Sequence, residues 1–416
     1  MVDPENLRLH KVKITHPRPR AGNTAEVVRR EMESVVLASV KGKRIALAVG
    51  SRGIADIDVI TATVARVLES RGAIPFVIAA MGSHGGGTVE GQIAVLGEYG
   101  VSEAKLGIPV RADTDTVKIP AGADLGHIDM NRTAYEADGI IVINRIKKHT
   151  DIHGEFESGL LKMIVIGLGN LVQAERFHSA GLRSLQEAIP VAAEVALGTG
   201  KILLGVAIVE NAFGEIARIE AVPPADFFRA ERRLLRLSKR LSPSLPVSDL
   251  DVLLIDRGGK DISGSCIDTN VIGRMNLRGE GELRKPTIKR VVVFELSEKS
   301  HGNAAGIGLA DFITKRFFDS IEFKSTNRNC ISCYFPERGM IPIVMESDAE
   351  AIRSAIVTAR NCDSDAPRII RIRDTLHLEE MYVSDTVLDE IGNRESVTVI
   401  SKGHPVVGPE GTLAPF

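Results

Sequence analysis

Nineteen residues, RIKKHTDIHGEFESGLLKM from Arg145 to Met163, hold two histidines, four cationic side chains and three acids directly after the apolar run GIIVIN. His149 and His153 can each take or give a proton near neutral pH, because an unperturbed imidazole titrates at about 6.5. Lys162 stands before an apolar segment. A lysine beside a buried stretch can lose its proton and become a nucleophile or covalent anchor, whereas a solvated one is only a surface charge. His178, sixteen residues further on, offers a one-histidine metal contact. Alone it makes no zinc site, since no H-E-x-x-H accompanies it. His84 lies in GSHGGGTVEG. Its glycines allow positive φ and close backbone approach, so Ser83, Gly85 and Gly86 read either as an anion nest ahead of a helix N-terminus, with phosphate the natural guest, or as a flexible turn. The spacing fits neither G-x-G-x-x-G nor a P-loop. Arg52, in GSRG, adds a cation.

Such residues act together only if the fold gathers them. The first half alternates apolar β-branched runs with helical patterns, the βαβ rhythm of a helix-covered parallel sheet. RIALAV (44–49), IPFVIAA (74–80), GIIVIN (139–144) and KILLGVAIVEN (201–211) read as strands, with helices at 58–72 and at 88–100, the latter opened by Thr88. In open parallel sheets ligands bind beyond the carboxyl ends of the strands. Arg52, His84 and His149 follow three successive strands and so converge on one crevice. After a basic, solvated helix, SPSLPVSD reads as a linker. The second half then restarts with strands at 251–256 and 290–296, a helix around AAGIGLADFITKRFFDSI and short strands near PIVM and SVTVISKG. The expected architecture is two α/β domains with mostly parallel sheets, residues 1–245 and 246–416, with the active site in the cleft between them at strand C-terminal ends. The Pro- and Gly-rich end is able to pack back on either domain.

At 416 residues the chain has room for two cores. A hydrophobic fraction of 44% and a charged fraction of 25% are those of an ordinary globular protein. A formal charge of −2 with both signs interspersed argues against nucleic-acid or membrane-surface partners, and 4% aromatics with no Trp argues against a stacking surface. The opening residues lack a secretory h-region, and no apolar span is long enough to cross a bilayer, so a cytoplasmic location is expected. Four cysteines, with one C-x-x-C at Cys330 and Cys333, fit a reducing compartment and give no zinc site without a second pair. The sequence leaves a homo-oligomer open.

RIKKHTDIHGEFESGLLKMIVIGLG with its downstream His178, together with GSRGIADID and MGSHGGGTVEGQ, resembles the nickel-dependent lactate racemase family, in an uncharacterised subgroup rather than the lactate enzyme itself. GGKDISGSCIDTNVIGR and SHGNAAGIGLADF are similar to that subgroup's second domain. The resemblance implies a nickel-pincer nucleotide, a pyridinium-3,5-bisthiocarboxylic acid mononucleotide whose sulfurs and ring carbon hold nickel with one protein histidine. It implies His178 as the nickel ligand, Lys162 as the thioamide anchor, His84 and His149 as the acid/base pair and Arg52 beside phosphate or substrate carboxylate. The implied activity is a racemase or epimerase of a small 2-hydroxy acid, by hydride abstraction and return through a 2-keto acid. Val49 stands where the racemase has an acid, and the residues that grip lactate are absent, so Lys260, Asn270 and Arg274 are the candidates for holding a different substrate. His153 competes with His149, which the KKHTD motif favours.

Two other readings stay open at this point. One is a sugar-acid lyase or dehydrogenase using ordinary acid/base chemistry. The other is a non-catalytic nucleotide-binding protein closing on its ligand. His301 and Asn303 of SHGN face the cleft or form a capping turn.

Overall fold

The opening strand does not belong with the residues that follow it. In the computed structural model, which describes residues 3–36, 39–50, 53–363, 365–408 and 410–416, the chain forms two compact units. One is Pro17–Ser242; the other joins the segment ending at His16 to Pro243–Phe416. Strand β1 (Arg8–Ile14) buries Leu9 in one core cluster of its unit and Val12 and Ile14 in the other. It pairs antiparallel with two strands from the far end of the sequence, Glu380–Val383 and Val397–Pro405. The sequence reading places these residues in the first domain. A single strand carries no signal of which sheet will take it, because its pairing is decided by partners hundreds of residues away.

The unit Pro17–Ser242 is built on β2 (Arg44–Val49), β3 (Ile74–Ala79), β4 (Val110–Arg111), β7 (Gly139–Arg145), β8 (Ile202–Glu210) and β9 (Ile216–Val222), in the order β4-β3-β2-β7-β8-β9. Only β8–β9 is antiparallel. A separate hairpin-like pair, β5 (Thr116–Pro120) and β6 (His127–Asn131), lies outside this sheet. The central strands are continuous apolar runs because a parallel sheet is covered on both faces. On one face, helices α1 (Thr24–Ser34) and α2 (Ile57–Ser70) lay Val28, Met32, Ile60, Val64 and Leu68 against Ile45, Leu47 and Ile141. Each such side chain is worth about 2 kcal/mol of burial. Among the described residues no helix is long and apolar enough to cross a membrane.

From β2 the chain steps outward through β3 to β4, then restarts on the other side of β2 with β7 and moves through β8 to β9. The order therefore reverses between β2 and β7. Beyond the carboxyl ends of such a pair the loops diverge and leave a crevice.

The second unit has an eight-stranded mixed sheet, ordered β13-β12-β11-β10-β14-β15-β1-β16. Its strands are β10 (Asp249–Gly258), β11 (Thr287–Leu296), β12 (Phe312–Thr314), β13 (Ile343–Met345), β14 (Ile369–Ile372), β15 (Glu380–Val383) and β16 (Val397–Pro405). Strands β10 to β14 run parallel, and the order reverses between β10 and β14. The helix expected over AAGIGLADFITKRFFDSI is corrected here. Gly306 takes φ 112°, FIT becomes the buried strand β12, and only Lys315–Asp319 is α-helical. A buried β-branched run was worth more to the sheet than its helical spacing was to a helix.

Candidate active site

The crevice between β2 and β7 receives the loops after β2, β3 and β7. Arg52, together with Ser51, lies outside the described residues. After β3 the chain runs through Gly82, Gly85, Gly86 and Gly87, all with φ between 58° and 68°. Two of these have to be glycine. A Cβ on Gly85 would stand 2.7 Å from the Gln92 backbone nitrogen, and one on Gly87 would stand 2.9 Å from Leu171. The loop is thus a built turn seated on α3 (Val89–Glu98) and α4 (Asn170–Ser179). Thr88 caps α3 by accepting the Gly91 N–H. Ser83 and His84 are exposed at its tip. The His84 Nδ1 lies 3.0 Å from the Met81 carbonyl oxygen. A carbonyl only accepts, so the proton sits on Nδ1 and the lone pair on Nε2.

After β7 the loop is closed on itself. Lys147 and Ser158 pair as a bridge, and buried Glu157 accepts N–H bonds from His149 (2.9 Å) and Gly154 (3.3 Å) while meeting Lys239 at 2.5 Å. Lys239 belongs to α5 (Phe227–Leu241), the helix that the sequence reading takes for a solvated one. It buries Phe227, Ala230, Glu231, Leu234 and Leu235, and its Arg232 pairs with Glu155 and stacks on Phe156. Glu231 accepts the Leu161 N–H at 2.9 Å. Burial pushes its carboxyl up to about 7, against the pull of the Leu161 and Leu160 N–H groups. Gly205 completes the seat. A Cβ there would lie 2.6 Å from Leu160 and 2.9 Å from Phe227, so its absence lets both rest on the sheet. The sequence reading missed Glu157, Glu231 and Lys239. Glu231 was findable, since it lies four residues from both Phe227 and Leu235 and so on the apolar stripe.

The segment so held carries Lys162. Past it the helix widens to a π-turn at Met163–Gly167, and Asn170 takes φ 54°, which a side chain rarely adopts. Such local irregularity in a helix is common where function fixes the backbone. Gly167 fits because a Cβ would meet Met163 Sδ at 2.6 Å and the Ala80 carbonyl at 2.8 Å, and its own carbonyl accepts the Gly82 N–H. The π-turn therefore locks the β3 loop to α4, which bears His178.

His149, Asp151, Lys162 and His178 come together. His149 Nδ1 accepts N–H bonds from Asp151 (3.0 Å) and Ile152 (3.1 Å). An accepting nitrogen bears no proton, so the neutral ring carries it on Nε2. That Nε2 faces Lys162 Nζ at 2.5 Å. His178 feels both Lys162 and Asp151. Burial first, then the charge Lys162 bears as an ammonium, pull its imidazole down to about 4, with Asp151 opposing. Its Nδ1 is buried without a hydrogen-bond partner, as is His153 Nε2.

Of the second-unit candidates, Lys260 follows the carboxyl end of β10, where its N–H donates to Ser300 Oγ. Asn270 is held by Asp268, whose own N–H reaches Thr375 beyond β14. Arg274 is elsewhere. Its guanidinium is spent on Asp311 and the carbonyls of Leu309, Ile288 and Lys289, the last two at the amino end of β11. His301 takes φ 47° and closes a 3-10 turn, the capping role. Cys330 and Cys333 are free thiols, one buried and one exposed.

Residues 50–242 match a family model described as "Domain of unknown function (DUF362)". No curated protein matches the chain. Among solved structures the chain is similar to the lactate racemase apoprotein from Thermoanaerobacterium thermosaccharolyticum, with 12% identity, 90% of this chain and 95% of that chain covered, and a TM-score of 0.49.

Proposed function

We propose that the chain is an isomerase inverting the carbinol carbon of a small 2-hydroxy acid other than lactate, with a nickel-pincer nucleotide held at Lys162 and His178. The observation that carries this reading is the juxtaposition of Lys162 and His149 with a His178 imidazole that burial draws down to about 4 and whose Nδ1 is buried without a hydrogen-bond partner among the described residues. Among the described residues no three His, Cys, Asp or Glu side chains gather to hold a metal ion. A metal at His178 therefore needs donors from an organic group, and the residues fit one that brings its own. When bound, that group supplies the hydride acceptor and the remaining metal donors.

The chain's residues supply the rest. Lys162 would hold the group through its nitrogen, as the thioamide anchor that the resemblance implies. With Lys162 so engaged, His149 Nε2 would be left to face substrate. The glycine turn offers its backbone to a phosphate. His84 Nε2 takes the hydroxyl proton as the Cα hydride leaves, giving a planar 2-keto acid. Inversion would be completed by return of the hydride to the opposite face, with a histidine on that side giving its proton to the carbonyl oxygen. His149 is the candidate there, with His153, whose Nε2 has no partner, as the alternative.

The test is intact mass and nickel content of protein made in cells able to synthesise the cofactor, beside Lys162→Ala. Nickel near one per chain, with an added mass missing from the variant, is expected. Protein with neither nickel nor added mass overturns the covalent reading. In turnover, substrate deuterated at Cα should keep its label, because hydride transfer does not exchange with solvent. Washout instead indicates ordinary proton abstraction.

A further inference from the structure

Arg145 opens the stretch that carries His149 and Lys162, yet the chemistry proposed above gives it no role. It ends β7, beside the reversal of strand order, and stands opposite Ile208 of β8. Glu210, the last residue of β8, lies two positions beyond Ile208 and therefore on the same side of the sheet. Ile141 and Ile143 along one strand, and Val206 and Ile208 along the other, join a single core beneath the two charges. Arg145 and Glu210 meet through Nη1 and Oε2. The other carboxylate oxygen, Oε1, accepts the Ala55 N–H at 2.8 Å.

Ala55 lies in the segment between β2 and α2, and in the sheet β7 stands between β2 and β8. A bond from that segment to the end of β8 therefore passes over the carboxyl end of β7, across the reversal. One carboxylate thus ties the chain after β2 to the strand end from which the His149 loop departs. The next residue after Ala55 is held as well, since Asp56 takes φ 52° and its carboxylate accepts from Thr24 Oγ1 at 2.6 Å. The Glu210 side chain is only 9% exposed, so solvent screens its bonds little. A charged acceptor also makes each of them stronger than a bond between neutral groups.

We infer that Glu210 is a positioning residue of the first crevice: with Arg145 it fixes the segment after β2 and the loop after β7 relative to each other, and so sets where His149 stands. It acts through these loops and touches no reacting atom. A displacement of about 1 Å in a reacting group can lower a rate about a hundredfold. The effect on turnover rests on the proposed isomerase reading; the effect on the loops does not.

The test removes both charges together, because deleting one alone strands the other and mixes position with stability. Arg145→Met with Glu210→Leu deletes both bonds, whereas Arg145→Met with Glu210→Gln keeps an acceptor for Ala55. The readouts are the melting curve and amide exchange by mass spectrometry, and, in protein loaded with the cofactor, kcat, nickel content and added mass. For the first variant a native melt is expected, with exchange about tenfold or more faster in the peptides covering Ala55 and His149 and unchanged within β7 and β8. Its kcat should fall about tenfold to a hundredfold, with nickel and added mass kept. The second variant should restore slow exchange at Ala55 alone, and it decides the matter should the first not give a native melt. Unchanged exchange in both loops overturns the inference. So does faster exchange across the whole sheet, which makes the pair a tie of the fold, or an unchanged kcat in protein whose loops have loosened. A parent protein that inverts no 2-hydroxy acid overturns the proposed function instead, and exchange at the two loops then decides the inference by itself.

Discussion

The two units solve the same topological problem with different chemistry. Each has a parallel core whose strand order reverses once, between β2 and β7 in one and between β10 and β14 in the other. At the first reversal stand imidazoles, an amine and glycines. Two imidazole nitrogens there are buried without partners, and the carboxylates nearby are turned to holding backbone. At the second reversal most charges are already matched, Arg371 to Asp256 and Arg316 to two acids. A crevice comes from strand order. Whether it does chemistry depends on which polar atoms are left unsatisfied inside it, because a buried unpaired group is expensive unless a ligand completes it.

The comparison makes a contrast that mutation can break. Removing an exposed side chain of the first crevice should cost function and little stability. His84→Ala is expected to lower kcat about 10²–10⁴-fold with an unchanged melting curve. A fall in melting temperature in place of a fall in rate would make the histidine structural. Removing a matched group of the second crevice should do the reverse. Asp256→Ala strands Arg371, which is 3% exposed, and should cost about 3–5 kcal/mol in denaturant unfolding. A variant as stable as the parent would mean the pair is dispensable.

Glu231 sharpens the contrast, since it is a buried acid that accepts backbone N–H groups. Its folded-state pKa, about 7, lies above the ordinary value of 4.5. The folded protein thus binds more protons than the unfolded chain between these values, and stability falls as pH rises through that window. Glu231→Gln keeps an acceptor for Leu161 and removes the buried charge. It should raise stability at pH 8 by about 2 kcal/mol and change little at pH 4. Equal effects at both pH values would show that the carboxyl does not titrate there. The smallest effect is expected at the seat beneath the Lys162 segment. Gly205→Ala overpacks Leu160 and Phe227 and should cost about 1–3 kcal/mol. Were Lys162 acylation to survive it unchanged, the seat would hold the segment more loosely than its contacts suggest.

Much of this was readable in advance. Continuous apolar runs ending in polar, glycine-rich loops announced a parallel sheet and pointed to its carboxyl ends, because both signals are local. Thr88 as a cap, His84 in a glycine turn and Lys162 beside a buried segment needed only neighbouring residues. Arg274 misled because it lies only fourteen residues beyond Lys260. Yet the turn through Gly273 carries it to the other end of β11, where it bonds Ile288 and Lys289. The basic helix misled because charge density was read ahead of spacing. Phe227, Glu231 and Leu235 recur at helical intervals and face inward.

The sequence by itself determined the elements and the residue types at their ends, since periodicity, turn chemistry and side-chain chemistry act over a few residues. Only the tertiary structure decided that β1 joins strands near the C-terminus, that Glu157 and Lys239 brace the His149 loop, and that His149 Nε2 meets Lys162. Those contacts join residues from 13 to nearly 400 positions apart. They are selected by the packing of whole faces, which no local pattern encodes.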